Sequence, residues 1–255
     1  MQEKMKSEGK CLFCGKMFAK AGVNKHLAAH LSEIALKEQT GKSFLLKVET
    51  EKRYGLTHYF LSLWVDGEAT LKSIDKFLRD IWLECCGHLS AFSYPRRRRR
   101  GSGLFNATDI FQMLAKVNKA TDSGEIPMSR KAKDVLYKGL VLEYEYDFGS
   151  TTALNITVVD VFFVKAEKKI VLLSRNEPLP FLCVTCKKVP ATQICTACMY
   201  DGDAEFCDKC AKKHAKECED FDDYASMPIV NSPRMGVCGY EGGRIDIERD
   251  GVYQL

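Results

Sequence analysis

Twelve cysteines and five histidines are the residues of this 255-residue chain whose spacing points to chemistry. Near the C-terminus, residues 207–218 read CDKCAKKHAKEC and place three cysteines and a histidine within twelve positions. Thiolate sulfur and imidazole nitrogen are the ligands that zinc takes most often in proteins. The spacing therefore predicts metal ligands. The question is whether the metal would be catalytic or structural.

Close to the N-terminus, Cys11 and Cys14 are followed by His26 and His30. Two thiols separated by two residues suit a turn between strands, and two histidines one helical turn apart point the same way. The pattern predicts one tetrahedral zinc ion and resembles a classical two-Cys two-His zinc finger over residues 9–33.

In that finger family, bases are read from helix positions −1, 3 and 6. With His26 as position 7, these positions fall on Ala19, Gly22 and Lys25. Alanine and glycine have no side-chain donor for a base edge. Three roles stay open for the finger. It could read a DNA sequence, contact the phosphates of DNA or RNA, or have a protein-docking or purely structural role. The lysines predicted to contact nucleic acid are Lys16, Lys20 and Lys25.

Eight more candidate ligands occur between residues 183 and 218, mostly as pairs separated by two residues. They suffice for two closed four-coordinate zinc sites, whereas a catalytic zinc usually keeps one position for water, so structural zinc is predicted. The stretch resembles the cross-braced B-box and MYND modules, which implies interleaved pairing, and consecutive pairing stays open. With the finger, three zinc ions are expected. The ligands are Cys183, Cys186, Cys195, Cys198, Cys207, Cys210, His214 and Cys218.

Three cysteines fall outside these patterns. Cys85 and Cys86 lie so close to His88 in sequence that a nucleophile and base geometry is not expected, and no third orienting residue is evident. We predict that these two cysteines are buried free thiols. Cys238 has no partner nearby in the sequence and is predicted to be a packed thiol in a glycine-rich closing segment.

Five adjacent arginines precede a Gly-Ser-Gly sequence. Such a run is either a solvated loop or a contact to the nucleic-acid backbone, because guanidinium groups pair well with phosphate. The predicted nucleic-acid contacts here are Arg96, Arg97, Arg98, Arg99 and Arg100.

The C-terminal part of the chain is acidic. Residues 183–255 contain thirteen Asp and Glu residues against nine Lys and Arg, and bound thiolates would add negative charge. Phosphate would be repelled there. The charge therefore predicts that this region either binds a protein partner or covers the core as a lid.

The elements that position these residues are mixed in kind. Thr70 can cap an amphipathic helix over residues 69–84, and residues 140–164 alternate as a hairpin that turns at Gly149 and Ser150. Strands and helices do not alternate regularly, so the fold class is predicted as α+β. Further strands are predicted at 44–50, 57–67, 88–94 and 168–176, with helices near 25–41 and 106–120.

Three domains are predicted from shifts in composition. They are a zinc finger with its helix over 1–43, a core over 44–182 and a double-zinc module with a closing tail over 183–255. No run approaches the roughly 18 apolar residues of a membrane span, and no apolar segment follows the N-terminal charges. A cytoplasmic location without membrane contact is expected, where metal ligation is favoured over disulfides.

The stretches 59–94, 137–159 and 172–195 together are similar to the plasmid pRiA4b ORF-3-like family, also labelled transposon-passenger TnpR-like. The resemblance covers about residues 44–182 and implies a compact α+β domain with no established biochemical activity. It also implies an association with mobile elements.

The sequence thus predicts a non-enzymatic zinc-binding adaptor that contacts DNA or RNA, a protein, or both. The rival hypothesis is a metal-dependent enzyme that processes nucleic acid. It would use Glu143, Glu145 and Asp147, which alternate along one predicted strand, although such alternation also describes a solvated face.

Overall fold

The computed structural model describes five stretches of the chain, which are residues 6–37, 40–51, 58–95, 124–202 and 204–254. The helix predicted near 106–120 and the run Arg96–Arg100 lie outside the described residues. Within the described stretches, no helix is both long enough and apolar enough to cross a membrane.

A seven-stranded antiparallel sheet forms the centre of the protein, and with the helices packed on it the fold class is α+β, as predicted. Its strands are β3 (Ser43–Thr50), β4 (Phe60–Asp66), β5 (Ser90–Ser93), β6 (Glu125–Ile126), β7 (Val141–Tyr146), β8 (Thr152–Phe162) and β9 (Ile170–Arg175). Their spatial order is β6-β5-β7-β8-β3-β4-β9. The predicted hairpin is β7 paired with β8.

One face of the sheet is covered by helix α2 (Leu71–Leu78), which a π-helical turn (Arg79–Leu83) extends. Thr70 caps α2 as predicted, since its Oγ1 accepts from the backbone N–H of Ser73 at 3.2 Å. A short helix, α3 (Ala132–Val135), packs on the same side. The buried side chains of α2 and of the turn join those of the sheet in the main hydrophobic core.

The opposite face is covered by the finger, which consists of β1 (Glu8–Lys10), β2 (Met17–Ala19) and helix α1 (Val23–Lys37). Strand β4 is buried along its whole length because both faces of the sheet are covered. Its residues Leu61 and Leu63 belong to the main core, whereas Phe60 and Trp64 pack with the finger.

Helix α1 matches the predicted helix, but its apolar stripe is shorter than expected. Leu27 and Leu31 are fully buried against the sheet, whereas Leu36 is 84% exposed. Leu36 is nine positions after Leu27, which is about 180° around the helix, so it faces away from the sheet.

The predicted alternation along β7 fails at its end. Leu142, Tyr144 and Tyr146 are buried as expected, but Asp147 is also buried and Phe148 is 53% exposed. The backbone of Asp147 has a φ of 62°, in the left-handed region, so the strand ends at Tyr146, two residues earlier than the predicted turn at Gly149 requires.

The C-terminal module, residues 183–228, contains β10 (Gln193–Cys195), β11 (Glu205–Phe206), α4 (Asp208–His214), a π-helical turn (Phe221–Ala225) and β12 (Ser226–Pro228). Its small sheet has the order β11-β10-β12. The closing segment, residues 229–254, returns to the main core, where Ser232 Oγ donates to Trp82 O and buried Arg175 pairs with Asp250 at 2.6 Å.

Candidate metal centres

The finger cluster brings together the four residues that the sequence nominated: Cys11, Cys14, His26 and His30. The thiols lie on the turn after β1, and the histidines lie one turn apart on α1. Nε2 of His26 is 3.2 Å from Sγ of Cys14 and 3.1 Å from Nε2 of His30. Burial lowers the pKa of His26, which favours the neutral imidazole that a metal requires.

The four-thiol cluster consists of Cys183, Cys186, Cys207 and Cys210. Cys207 is the residue before α4, and Cys210 lies in its first turn, so the helix start presents both thiols to the other pair. Sγ of Cys186 is 4.0 Å from Sγ of Cys207. Three of these cysteines are buried, and Cys186 is half-buried.

The His214 cluster consists of Cys195, Cys198, His214 and Cys218. Sγ of Cys218 is 3.9 Å from the sulfurs of both Cys195 and Cys198, and Nε2 of His214 is 3.6 Å from Sγ of Cys198. The ring of His214 stacks on Phe206 with centroids 4.2 Å apart. Helix α4 therefore supplies ligand atoms to two clusters, from its start and from its end.

These two groupings select the interleaved arrangement over the consecutive one. Cys183 and Cys186 meet Cys207 and Cys210, while the pair between them in sequence joins residues 214 and 218. A tetrahedral zinc with Zn–S bonds of about 2.3 Å separates its sulfurs by about 3.8 Å. The observed Sγ–Sγ distances of 3.9 to 4.0 Å fit such an ion.

Backbone hydrogen bonds and crowding of the thiols shift the pKa values of two cysteines in opposite directions. Against the effect of burial, backbone N–H groups of Cys186, Cys207 and Thr185 lower the pKa of Cys183 to about 6. Contact with Cys195, then burial and Cys218, raises the pKa of Cys198 to about 12. Four thiolates at such distances repel one another unless a cation lies between them, so this donor set suits a bound divalent metal.

The lysines predicted to contact nucleic acid differ in their surroundings. Lys16 and Lys25 are exposed. Of the three predicted base-reading positions, only that of Lys25 carries a long polar side chain. Lys20 is half-buried, and its ammonium lies 2.8 Å from Glu49 of the sheet. One of the three lysines thus contributes to attaching the finger to the core.

The carboxylates of the rival enzyme hypothesis do not share one solvated face. Glu143 and Glu145 are half-buried, whereas Asp147 is buried and accepts from Nη2 of Arg234 at 2.6 Å. The hydrogen bond from Arg234 lowers the pKa of Asp147 to about 2. Asp147 is therefore held as an anion within an ion pair.

A further cluster was not predicted from the sequence. The ligand atoms of Cys85, Cys86, His88 and Cys238 lie within 4.8 Å of one another, and we call this group the His88 cluster. Cys86 is exposed and Cys85 half-buried, so the prediction of buried free thiols is wrong for both. Cys238 is also exposed, with Cys86 and His88 beside it, so its prediction as a packed thiol without a partner is wrong too.

The sequence carried one weak signal for this cluster. Once the patterned cysteines and histidines are assigned, the remaining cysteines number three, and one of the two remaining histidines lies two residues from a cysteine. Three cysteines and one histidine are also the ligand set of the His214 cluster. However, about 150 residues separate Cys238 from the other three residues. Only the fold brings them together.

No protein-family model matches the chain, and no curated protein matches it. Among solved structures, the chain is similar to the crystal structure of MM3350, a protein of unknown function from Methanosarcina mazei Go1. The identity is 14%, the match covers 73% of this chain and 88% of that chain, and the TM-score is 0.38. A similarity this low carries no argument about function, so the plasmid pRiA4b ORF-3-like family stays a prediction.

Proposed function

We propose that the protein is a non-enzymatic adaptor whose C-terminal module binds a basic polypeptide. Zinc in the finger, four-thiol and His214 clusters would be structural. The observation that carries the proposal is the composition of these clusters, because each supplies four protein ligand atoms to one ion. A zinc ion held this way has no position for a water molecule or a substrate.

The surface of the module supports a partner of positive charge. Glu219, Asp220, Asp222 and Asp223 are exposed next to the His214 cluster. Zinc bound by four thiolates keeps a net charge of about −2, and zinc bound by three thiolates and a neutral imidazole about −1. The filled module would therefore attract Lys and Arg side chains and repel phosphate.

An exposed aromatic residue lies within the acidic region. Tyr224 is 69% exposed, and its hydrogen bond to Asp220 raises its pKa. It lines a cleft of about 350 Å³ together with Met227 and Glu241. Exposed tyrosines beside a polar cleft are typical of protein-binding surfaces, since the ring buries much area with little loss of side-chain entropy.

Nucleic-acid binding is the weaker candidate on the described surface. The finger offers only Lys16 and Lys25 as exposed lysines of the predicted set, because Lys20 is paired with Glu49. The burial of Asp147 beside Arg234 likewise counts against the rival enzyme hypothesis, which needs carboxylates presented together.

Fluorescence anisotropy of the zinc-loaded full chain tests the proposal. The probes are a labelled Lys/Arg-rich peptide, an acidic peptide of equal length, duplex DNA and single-stranded RNA. We expect binding of the basic peptide only, weakened by salt. The triple substitution Asp222→Asn, Asp223→Asn and Tyr224→Ala should weaken it at least about tenfold, which corresponds to about 1.4 kcal/mol.

The matched control neutralises two exposed acids and removes one exposed aromatic ring elsewhere: Glu33→Gln, Glu167→Gln and Phe163→Ala. It should bind the basic peptide like the unchanged protein. Binding of DNA or RNA that is lost in Lys16→Ala with Lys25→Ala, without peptide binding, would overturn the proposal in favour of nucleic acid. Cleavage of labelled DNA or RNA with magnesium, abolished by Asp147→Asn, would overturn the non-enzymatic role.

A further inference from the structure

We propose that Cys85, Cys86, His88 and Cys238 form a fourth zinc site, which joins the closing segment to the core. The site lies where the π-helical turn after α2 leads into β5, and Cys238 reaches it from the closing segment.

The sulfur–sulfur distances within the His88 cluster are those of a tetrahedral zinc site. Sγ of Cys86 lies 3.8 Å from Sγ of both Cys85 and Cys238, which is the edge of about 3.8 Å expected for tetrahedral zinc with Zn–S bonds of about 2.3 Å. Nε2 of His88 lies 3.0 Å from Sγ of Cys86 and 3.2 Å from Sγ of Cys238. One atom of each residue therefore faces a common centre.

The same separations occur in the clusters that the sequence predicted. In the finger cluster, thiol and imidazole approach to 3.2 Å, and in the two C-terminal clusters the sulfurs are 3.9 to 4.0 Å apart. The three thiols and one imidazole of the His88 cluster also repeat the donor set of the His214 cluster. This soft, closed set favours zinc over magnesium or calcium, which take oxygen ligands.

The residues around the cluster would stabilise a bound ion. Arg234 is fully buried, and its Nη2 lies 3.6 Å from Sγ of Cys85 while it donates to Asp147 at 2.6 Å. Zinc with three thiolates and a neutral imidazole carries about −1, and the guanidinium of Arg234, which is also paired with Asp147, offsets part of that charge beside Cys85. Arg234 also stacks over the ring of Tyr146, 4.9 Å from its centroid, which fixes its orientation.

The backbone around the cluster has an uncommon conformation at two places. Cys238 has a φ of 51° and Asp147 a φ of 62°, and residues other than glycine rarely adopt this left-handed region. Such conformations persist where the surroundings enforce them, and they concentrate at functional sites. A metal bond to Cys238 would be one such enforcing contact.

The fourth site differs from the other three in its access to solvent. Cys86 and Cys238 are both exposed, whereas each C-terminal cluster contains at least one buried cysteine and the finger cluster contains buried Cys11. We therefore expect the fourth ion to exchange fastest with a chelator. It would act as a cross-link across about 150 residues of sequence, between the core and the closing segment.

Native mass spectrometry of the zinc-loaded, reduced full chain tests the stoichiometry. We expect four zinc ions per chain, and three in Cys238→Ser and in His88→Asn. His58→Asn is the matched control, because His58 belongs to none of the four clusters, and it should retain four ions. Three ions in the unchanged protein, or an unchanged count in both ligand variants, would overturn the fourth site.

Alkylation of the unchanged protein is a test that does not depend on whether a substituted protein folds. Because Cys86 and Cys238 are exposed, free thiols there would react with iodoacetamide within the first phase of labelling. Zinc ligation predicts that both are protected until a chelator is added and are then among the first cysteines labelled. Immediate labelling of both, or a disulfide involving either in the freshly purified protein, would contradict the proposal.

Discussion

The finger and the C-terminal module both gather cysteine and histidine ligands, but they are packed in different ways. Val23, Leu27 and Leu31 of the finger are buried together with sheet residues such as Leu45 and Trp64. The hydrophobic cluster of the C-terminal module instead contains its own thiols, Cys183, Cys195, Cys207 and Cys210, beside small side chains such as Ala191, Ala204 and Ala211. The finger is thus held largely by the sheet, whereas the module packs around the thiols of its two candidate metal sites.

The difference bears on what zinc would contribute in each region. Structural zinc binding supplies roughly 10–16 kcal/mol in small domains that cannot fold without it. A module whose buried cluster is built around four thiols would need that contribution, whereas helix α1 already buries three aliphatic side chains on the sheet. Similar ligand sets would therefore have unequal structural consequences in one chain.

The largest effect is expected from removing the metal. With excess chelator under reducing conditions, amide hydrogens of β10, β11 and β12 should lose protection, because the module loses the ions that order it. Those of β3, β4 and β8 should stay protected, and those of α1 should fall between. Hydrogen exchange followed by mass spectrometry measures this, and equal loss of protection in all three regions would contradict the comparison.

Single ligand substitutions should separate the two regions next. In Cys183→Ser, opening of the module would no longer be opposed by zinc, so a protease should cleave within residues 183–228. That cleavage should be at least about tenfold faster than cleavage within residues 8–37 in Cys14→Ser. Limited proteolysis with timed mass analysis gives both rates. Comparable rates would mean that the finger depends on its ion as much as the module does.

Packing of the finger on the sheet should be the next largest contribution. Leu27 is fully buried, so Leu27→Ala should lower the free energy of unfolding by about 2–5 kcal/mol. Leu36→Ala on the same helix removes the same atoms from an exposed position and should stay within about 0.5 kcal/mol. Denaturant unfolding monitored by circular dichroism compares the two variants. A small loss of unfolding free energy in Leu27→Ala would show that the finger does not contribute to the stability of the core.

The smallest effect is expected from the ion pairs of Glu49, one of which joins the finger to the sheet. Glu49 lies 2.8 Å from Lys20 and 2.7 Å from Lys47. Although burial raises the pKa of Glu49, its hydrogen bonds to both lysines lower it below 4.5 overall. Glu49→Gln should cost no more than about 1 kcal/mol at pH 7, because the pairs are partly exposed.

The pH dependence of that cost follows from the sign of the shift. A lowered folded-state pKa stabilises the fold at pH values above the unfolded-state pKa, and this stabilisation is lost as the pH falls through the folded-state pKa. The difference between Glu49→Gln and the unchanged protein should therefore be full at pH 7 and shrink below about pH 4.5. A difference that grows on acidification would show that Glu49 acts in another way.

Local pattern was a good guide wherever ligands or side chains lie close in sequence. The hairpin of β7 and β8, the cap at Thr70 and the α+β class follow from short-range periodicity, which the structure keeps. Local pattern failed at Asp147, because the approach of Arg234 is set by a distant part of the chain.

The His88 cluster separates what the sequence determined from what the fold decided. The sequence by itself determined the predicted metal ligands of the finger and of the C-terminal module, because their spacing lets one turn or one helix present two ligands at once. Only the tertiary structure decided the interleaved grouping, the burial of α1 on the sheet and the meeting of Cys238 with Cys85, Cys86 and His88. Contacts across about 150 residues depend on the packing of the closing segment, and no local rule encodes that packing.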